Sequence, residues 1–283
     1  MLRTAREQLR PVAGIQSTRQ DASRAREFKH VQEPLYFTGA QVATSAVHYI
    51  PILTTILAAI FALELWNKYQ ARSQPRHLLW WCFGFICYGA GTALESAVTL
   101  LGNSVELTKA WYIAGAVLGG YPLAQGSVYL HLARRTADRL NVVTVAFAVA
   151  VSVLVLLSPV DVTLLEAHRP SGRILEWQWV RGLTPILNTY AAIFLIGSAL
   201  WSSVRFFRLG SAVNRAKGNA LIAFGALLPG IGGAFAKAGM VEALYVGEFI
   251  GILFIWTGYR FCSRESAYRR EHSAPQEGLS RAA

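Results

Sequence analysis

Two carboxyl side chains stand in the middle of apolar sequence, Glu95 in GTALESAV and Glu248 in LYVGEFIG. An ionisable group inside an apolar helix is costly to bury, and so is a functional candidate by default. Two carboxylates in one low-dielectric site do not both ionise easily. One keeps its proton, or a cation balances the pair. That arrangement suits proton exchange, cation binding or general acid–base work. A structural role, with each Glu bonding a neighbouring helix, is the competing interpretation, and residue type alone leaves both open. His48, Asn188, Tyr190, Arg181 and Lys237 are the further polar residues that can join such a site. Gln125, Ser127 and Tyr129 read more simply as interhelical hydrogen-bonding residues.

Several other chemistries lack their residues. There is no HExxH and no GxSxG. The histidines, at 30, 48, 77, 131, 168 and 272, divide between opposite faces. No three-His zinc site and no His pair for b-type haem results. The segment ALYVGEFIGILFIWTGY has no Lys, which excludes a retinal Schiff base there. Cys82, Cys87 and Cys262 form no CxxC pair and read as small packing residues. No metal site is expected, and no cofactor is identified.

The elements that must position these residues follow from composition. Of 283 residues, 53% are hydrophobic and 15% charged, where a soluble domain carries about 25% charged. This excludes a disordered chain, a coiled coil and a disulfide scaffold. A membrane-crossing helix needs about 20 mostly apolar residues. Seven stretches qualify, near 45–66, 78–100, 110–132, 141–160, 183–204, 218–236 and 243–259. Strand alternation is absent, so a membrane β-barrel is excluded. The expected fold is all-α, a polytopic membrane bundle of seven transmembrane helices. The expected domains are a basic N-terminal tail (1–44), the bundle (45–262) and a cytoplasmic tail (263–283).

Net charge is +11, but the basic residues lie in short loops between apolar runs, a topogenic pattern and not a nucleic-acid footprint. One set of loops carries Lys68, Arg72, Arg76, Arg134, Arg135, Arg139, Arg205, Arg208, Arg215 and Lys217. The other carries only Lys109, Arg169, Arg173, Arg181 and Lys237. The bias puts the N-terminus outside and the C-terminus in the cytoplasm. The basic residues of 1–44, among them Arg24, Arg26 and Lys29, oppose this orientation. The opening MLRTAREQLRPVAGIQSTRQ resembles a transit peptide, and a disordered extension is the simpler reading.

On this map Glu95 and Glu248 both lie about 7–8 Å below the outer boundary, from a rise of ~1.5 Å per residue. Helices one, two and seven are neighbours in a sequentially wound bundle. The pair is therefore expected to face one cavity in the outer half, with His48, Asn188, Tyr190, Arg181 and Lys237 at similar height. Pro122, beside Gly119 and Gly120, marks an expected kink, as does Pro229. Trp111, Trp177 and Trp179 fit an outer interfacial belt, and Trp66, Trp80, Trp81 and Trp201 an inner one. Gly115 with Gly119, and Gly247 with Gly251, have the spacing for close helix contact within the bundle. The longest loop, 161–182, is expected to cap the outer side.

The segments AWYIAGAVLGGYPLAQGSVYLHLARR, GNALIAFGALLPGIGGAFAKAG and LYVGEFIGILFIWTGY carry a family likeness. In them the chain resembles a group of bacterial seven-helix membrane proteins, over roughly residues 45–262. The resemblance implies a multi-pass protein of the bacterial inner membrane and brings no activity with it. From the residues, the leading expectation is a binding, sensor-like or accessory subunit of the membrane. Its partners would be the lipid bilayer and a protein in a membrane complex, because the 24 residues after Tyr259 are too few for an output domain. Two alternatives stay open. One is a membrane-embedded enzyme acting on a lipid or isoprenoid, with Glu95 and Glu248 as acid–base pair and His48 or Lys237 as helper. The other is a proton- or cation-coupled transporter.

Overall fold

The structure is a computed structural model that describes residues 46–210 and 212–273, with side chains through Arg264. The expected tail 1–44 and residues 274–283 lie outside the described residues. A 3-10 turn, Ala46–Tyr49, leads into α1, Ile50–Gln70. Pro75 precedes α2, Arg76–Leu101, and cannot continue a helix from the previous turn. The third segment comes in pieces: α3 (Val105–Trp111), a π-helical turn (Tyr112–Val117), a non-helical step at 118–120, and α4 (Tyr121–His131). Then follow α5 (Arg134–Leu157) and a connection at 158–177 containing two 3-10 turns. α6 (Gln178–Ala191) passes through a second π-helical turn, Ala192–Gly197, into α7 (Ser198–Leu209). The last helices are α8 (Val213–Lys237) and α9 (Val241–Ser273). α9 therefore runs on past residue 262, and the expected C-terminal tail begins as helix.

Among the described residues, six helical stretches are long and apolar enough to cross a membrane: Ala46–Gln70, Arg76–Leu101, Arg134–Leu157, Gln178–Leu209, Val213–Lys237 and Val241–Arg264. They are apolar outside as well as inside. On α1, Leu53, Ile56, Ile60 and Leu63 are exposed at a spacing of three and four, while Ala58, Phe61 and Leu65 are buried. On α5, Val142, Val149, Val153 and Leu156 face outward. A soluble bundle reserves that outer face for charge; hydrocarbon suits this one.

The segment at 105–131 is broken, yet it runs beside α5 over that helix's length. Near one end, Lys109 Nζ donates to the carbonyls of Leu156 and Ser158, both at 2.8 Å. Near the other, Tyr129 Oη donates to Asp138 at 2.8 Å. The break has a local cause. Pro122 lies in the first turn of α4, where its missing N–H costs nothing. Gly119 comes so close to its own preceding turn that a Cβ would sit 2.3 Å from Gly115 O. Gly115 in turn packs on α2, where a Cβ at Gly91 would meet its Cα at 3.2 Å. Pro229, by contrast, lies inside the continuous α8.

Glycines also join α8 to α9. A Cβ at Gly258 would lie 2.4 Å from Gly218 O, and one at Gly225 2.6 Å from Gly251 O. Gly247 meets Leu228 O in the same way at 2.9 Å. Side chains pack the rest. One core cluster joins Phe61, Leu65, Leu78, Phe85, Leu123, Ile252 and Ile255. A second joins Tyr112, Val117, Tyr121, Val151, Val155, Leu175 and Leu187. The end carrying the 158–177 connection is termed the capped end. The end carrying Lys68, Arg76, Arg134 and Arg260 is the basic end.

Candidate functional site: a carboxyl pair between helices

Helical periodicity places Tyr88, Thr92, Glu95 and Thr99 along one face of α2. α9 brings Tyr245 and Glu248 against it, and α1 with its leading turn brings Thr55 and His48. Glu95 is 2% exposed. Its Oε1 accepts a 2.8 Å hydrogen bond from Trp111 Nε1 of α3. The carboxyl groups of Glu95 and Glu248 lie close enough to interact. Glu95 Oε2 and Glu248 Oε2 are both inaccessible, and neither receives a donor from the rest of the protein. An ionised carboxylate has no donor to give, and one proton held between the two groups satisfies both oxygens.

The surroundings hold the pair in place. Tyr88 Oη donates to the backbone carbonyl of Glu248 at 2.8 Å. Below the pair, Thr55 Oγ1 and Thr92 Oγ1 bond to each other at 2.8 Å. Above it, buried Tyr245 lies within electrostatic reach of both carboxyls, and its Oη has no partner. The His48 ring packs edge-on against the Tyr245 ring, centroids 5.8 Å apart. Thr99 Oγ1 donates to His48 O at 3.4 Å.

The 158–177 connection closes the capped end. Asn103, just past α2, donates through Nδ2 to Glu166 O at 2.7 Å and to Arg169 O at 3.0 Å. Arg169 forks onto the Glu166 carboxylate through Nε and Nη2. That hydrogen-bonded carboxylate holds the Arg169 guanidinium above its ordinary value. Arg169 is also within electrostatic reach of Tyr245. The connection is anchored from beneath by buried Ile174 and Leu175.

Of the residues expected at one height, the structure gathers Glu95, Glu248 and His48. The others lie elsewhere. Tyr190 Oη donates to Gln125 Oε1 at 2.6 Å, and Gln125 Nε2 reaches Ala137 O at 3.3 Å. Tyr190 thus belongs to a separate network around the second core cluster. Asn188 is exposed, because α6 turns Thr184 and Leu187 inward. Lys237 is exposed at the end of α8, and among the described residues no ion pair joins it to either glutamate. Arg181 donates to Gln178 one turn away. Sequence depth alone overlooked Trp111, Tyr88 and Tyr245. The two tyrosines were discoverable, standing seven and three residues from the glutamates they accompany. Trp111 was assigned to the interfacial belt, and its bond to Glu95 has no local signature.

Among the described residues, no three His, Cys, Asp or Glu side chains come together as a metal site. On the basic side of the pair lies the first core cluster, with Ala58, Phe61, Phe85 and Ile252 almost fully buried. The next acid beyond that apolar layer is Glu64. It accepts from Lys68 at 2.9 Å, Trp256 at 2.7 Å and Arg260 at 3.1 Å. In comparison with known proteins, no family model, curated protein or solved structure matches this chain.

Proposed function

We propose that this chain is an integral membrane protein with seven crossings, and that it is a binding or sensor-like module built around one proton shared by Glu95 and Glu248. One observation carries this reading: two neighbouring carboxyl groups each leave a buried oxygen without a donor. The seventh crossing is the broken segment, supported by its contacts with both ends of α5. The loop charges orient the bundle with its capped end outside and its basic end in the cytoplasm. The resemblance of the three quoted segments favours a bacterial inner membrane.

The polar groups beside the pair lie toward the capped end. A proton arriving from the capped end finds His48, Tyr245 and Arg169 close by. A proton leaving toward the basic end meets the apolar layer of Ala58, Phe61 and Phe85. That layer counts against a transporter, which needs both halves. A signal would then pass to a partner through helix packing.

Infrared spectroscopy of the protein in liposomes tests the reading. The parent should show a protonated-carboxyl C=O band that responds to pH. Glu95→Gln and Glu248→Gln should each shift or remove it while the protein still elutes as a folded species. Liposomes under a pH gradient should show no protein-dependent proton flux. A band untouched by both substitutions would sink the shared proton, and a flux would replace the sensor with a transporter.

A further inference from the structure

At the basic end, α1 and α9 leave an open groove lined by Ile60, Leu63, Asn67, Lys68, Trp256 and Arg260. Its volume of about 570 Å³ falls in the range of ligand sites, roughly 300–1,000 Å³. We propose that this groove binds the phosphate headgroup of an anionic phospholipid, an inference that rests on the membrane reading above.

The groove has two chemically distinct ends. Its apolar wall is Ile60 and Leu63, respectively 45% and 61% exposed. That wall continues up α1 as Ile56 and Leu53, a stripe suited to one acyl chain. Its polar end holds two cations whose side chains remain accessible, Arg260 at 52% and Lys68 at 30%. Arg264, one turn beyond Arg260, flanks the same surface with Trp256. A phosphate there meets a fork and a point charge at the level where chain becomes headgroup.

Glu64 lines the groove too, and a bare carboxylate would repel a phosphate. It is not bare. Oε1 takes Lys68, and Oε2 takes Trp256 and Arg260. Those bonds screen its charge and hold the two cations beside each other. Arg260 uses one Nη2 hydrogen bond and Lys68 one Nζ hydrogen bond on Glu64, so both keep donors for a ligand. Counting Glu64 against Lys68, Arg260 and Arg264, the surplus is positive. Basic pockets between membrane helices near the cytoplasmic surface are a known setting for anionic headgroups.

The full chain, purified in detergent and stripped of lipid, should be titrated with phosphatidylglycerol or phosphatidylcholine and read by native mass spectrometry. Phosphatidylglycerol should be retained and phosphatidylcholine not. Lys68→Gln and Arg260→Gln should each lower retention about fivefold, from ~1 kcal/mol per basic contact. Arg205→Gln, on another helix of the same end, should leave it unchanged. If Lys68→Gln fails to fold, Arg264→Gln takes its place. Equal retention of the two lipids, or full retention by Arg260→Gln, overturns the proposal. Displacement of the lipid by inorganic phosphate overturns it in favour of a soluble ligand. Release of the chain from membranes by alkaline carbonate would instead remove the membrane reading on which it rests.

Discussion

Replacing Gly258 by Ala tests how α8 and α9 are held together. The new Cβ would fall 2.4 Å from Gly218 O, 2.9 Å from Ile222 Cγ1 and 3.1 Å from Ile222 N. An ordinary close C···O approach is about 3.3 Å, so the overlap with the carbonyl is about 0.9 Å. The obstructing atom is backbone, and no rotamer change relieves it. The helices must separate locally, and a gap of 0.5–1 Å forfeits roughly a quarter to a half of each dispersion contact. Overpacking of this kind costs about 1–3 kcal/mol. Gly230 and Gly233 of α8 supply the control, because a Cβ at either meets nothing within 4 Å. Alanine at those positions should gain about 0.5–1 kcal/mol of helix propensity. Thermal unfolding in one detergent should therefore rank Gly258→Ala below Gly230→Ala by roughly 1.5–4 kcal/mol, or about 3–16 °C at this size. Gly225→Ala should follow Gly258→Ala, since its Cβ would lie 2.6 Å from Gly251 O. Equal midpoints for the two classes would refute close backbone packing between α8 and α9.

Three further outcomes are expected. Trp111→Phe removes the donor to Glu95 Oε1, and should cost about 1–3 kcal/mol in the same unfolding assay; a neutral result would mean that the bond contributes nothing. A cysteine at Ser171 should be labelled from outside, and a reporter fused after Ala283 should be active only in the cytoplasm; labelling of Ser171 from inside would reverse the orientation. Asp161 accepts from the amide and hydroxyl of Thr163, bonds that hold its carboxyl below the usual range. A depressed carboxyl contributes above its unfolded value of ~3.9 and loses that contribution as pH falls through the lower folded value. The Thr163 amide should thus stay protected from exchange at pH 5 and lose protection only below ~3.9; loss already at pH 5 would refute the cap.

Helix existence was legible because hydrocarbon demands long apolar runs, and those runs are plain around α1, α5 and α8. The proximity of Glu95 and Glu248 was legible as well, from equal depth on helices expected to be neighbours. Azimuth was not. Asn188 and Lys237 have the right height, but the turn of α6 and the end of α8 point them outward. The hydrophobic pattern cannot fix a face where every face is apolar, as on α1 and α5. The step at 118–120 was foreshadowed by Gly119, Gly120 and Pro122. The two π-helical turns were not, because one extra residue in a helical turn leaves no mark on composition. Trp111 shows the same limit: a tryptophan at the expected boundary fits a lipid interface and an inward hydrogen bond alike.

The closure of the capped end has a consequence in time. Asn103 holds the 158–177 connection through two carbonyls, and one carboxyl oxygen each of Glu95 and Glu248 is out of contact with solvent. On the proposed reading, a proton shared by Glu95 and Glu248 would leave when that cover opens. Openings of that kind occur over microseconds to seconds, far more slowly than acid and base equilibrate in water. Occupancy would then follow the average acidity at the capped end, and brief excursions would pass unrecorded. Loosening the clamp, as in Asn103→Ala, would shorten the memory of the site without changing the groups that hold the proton.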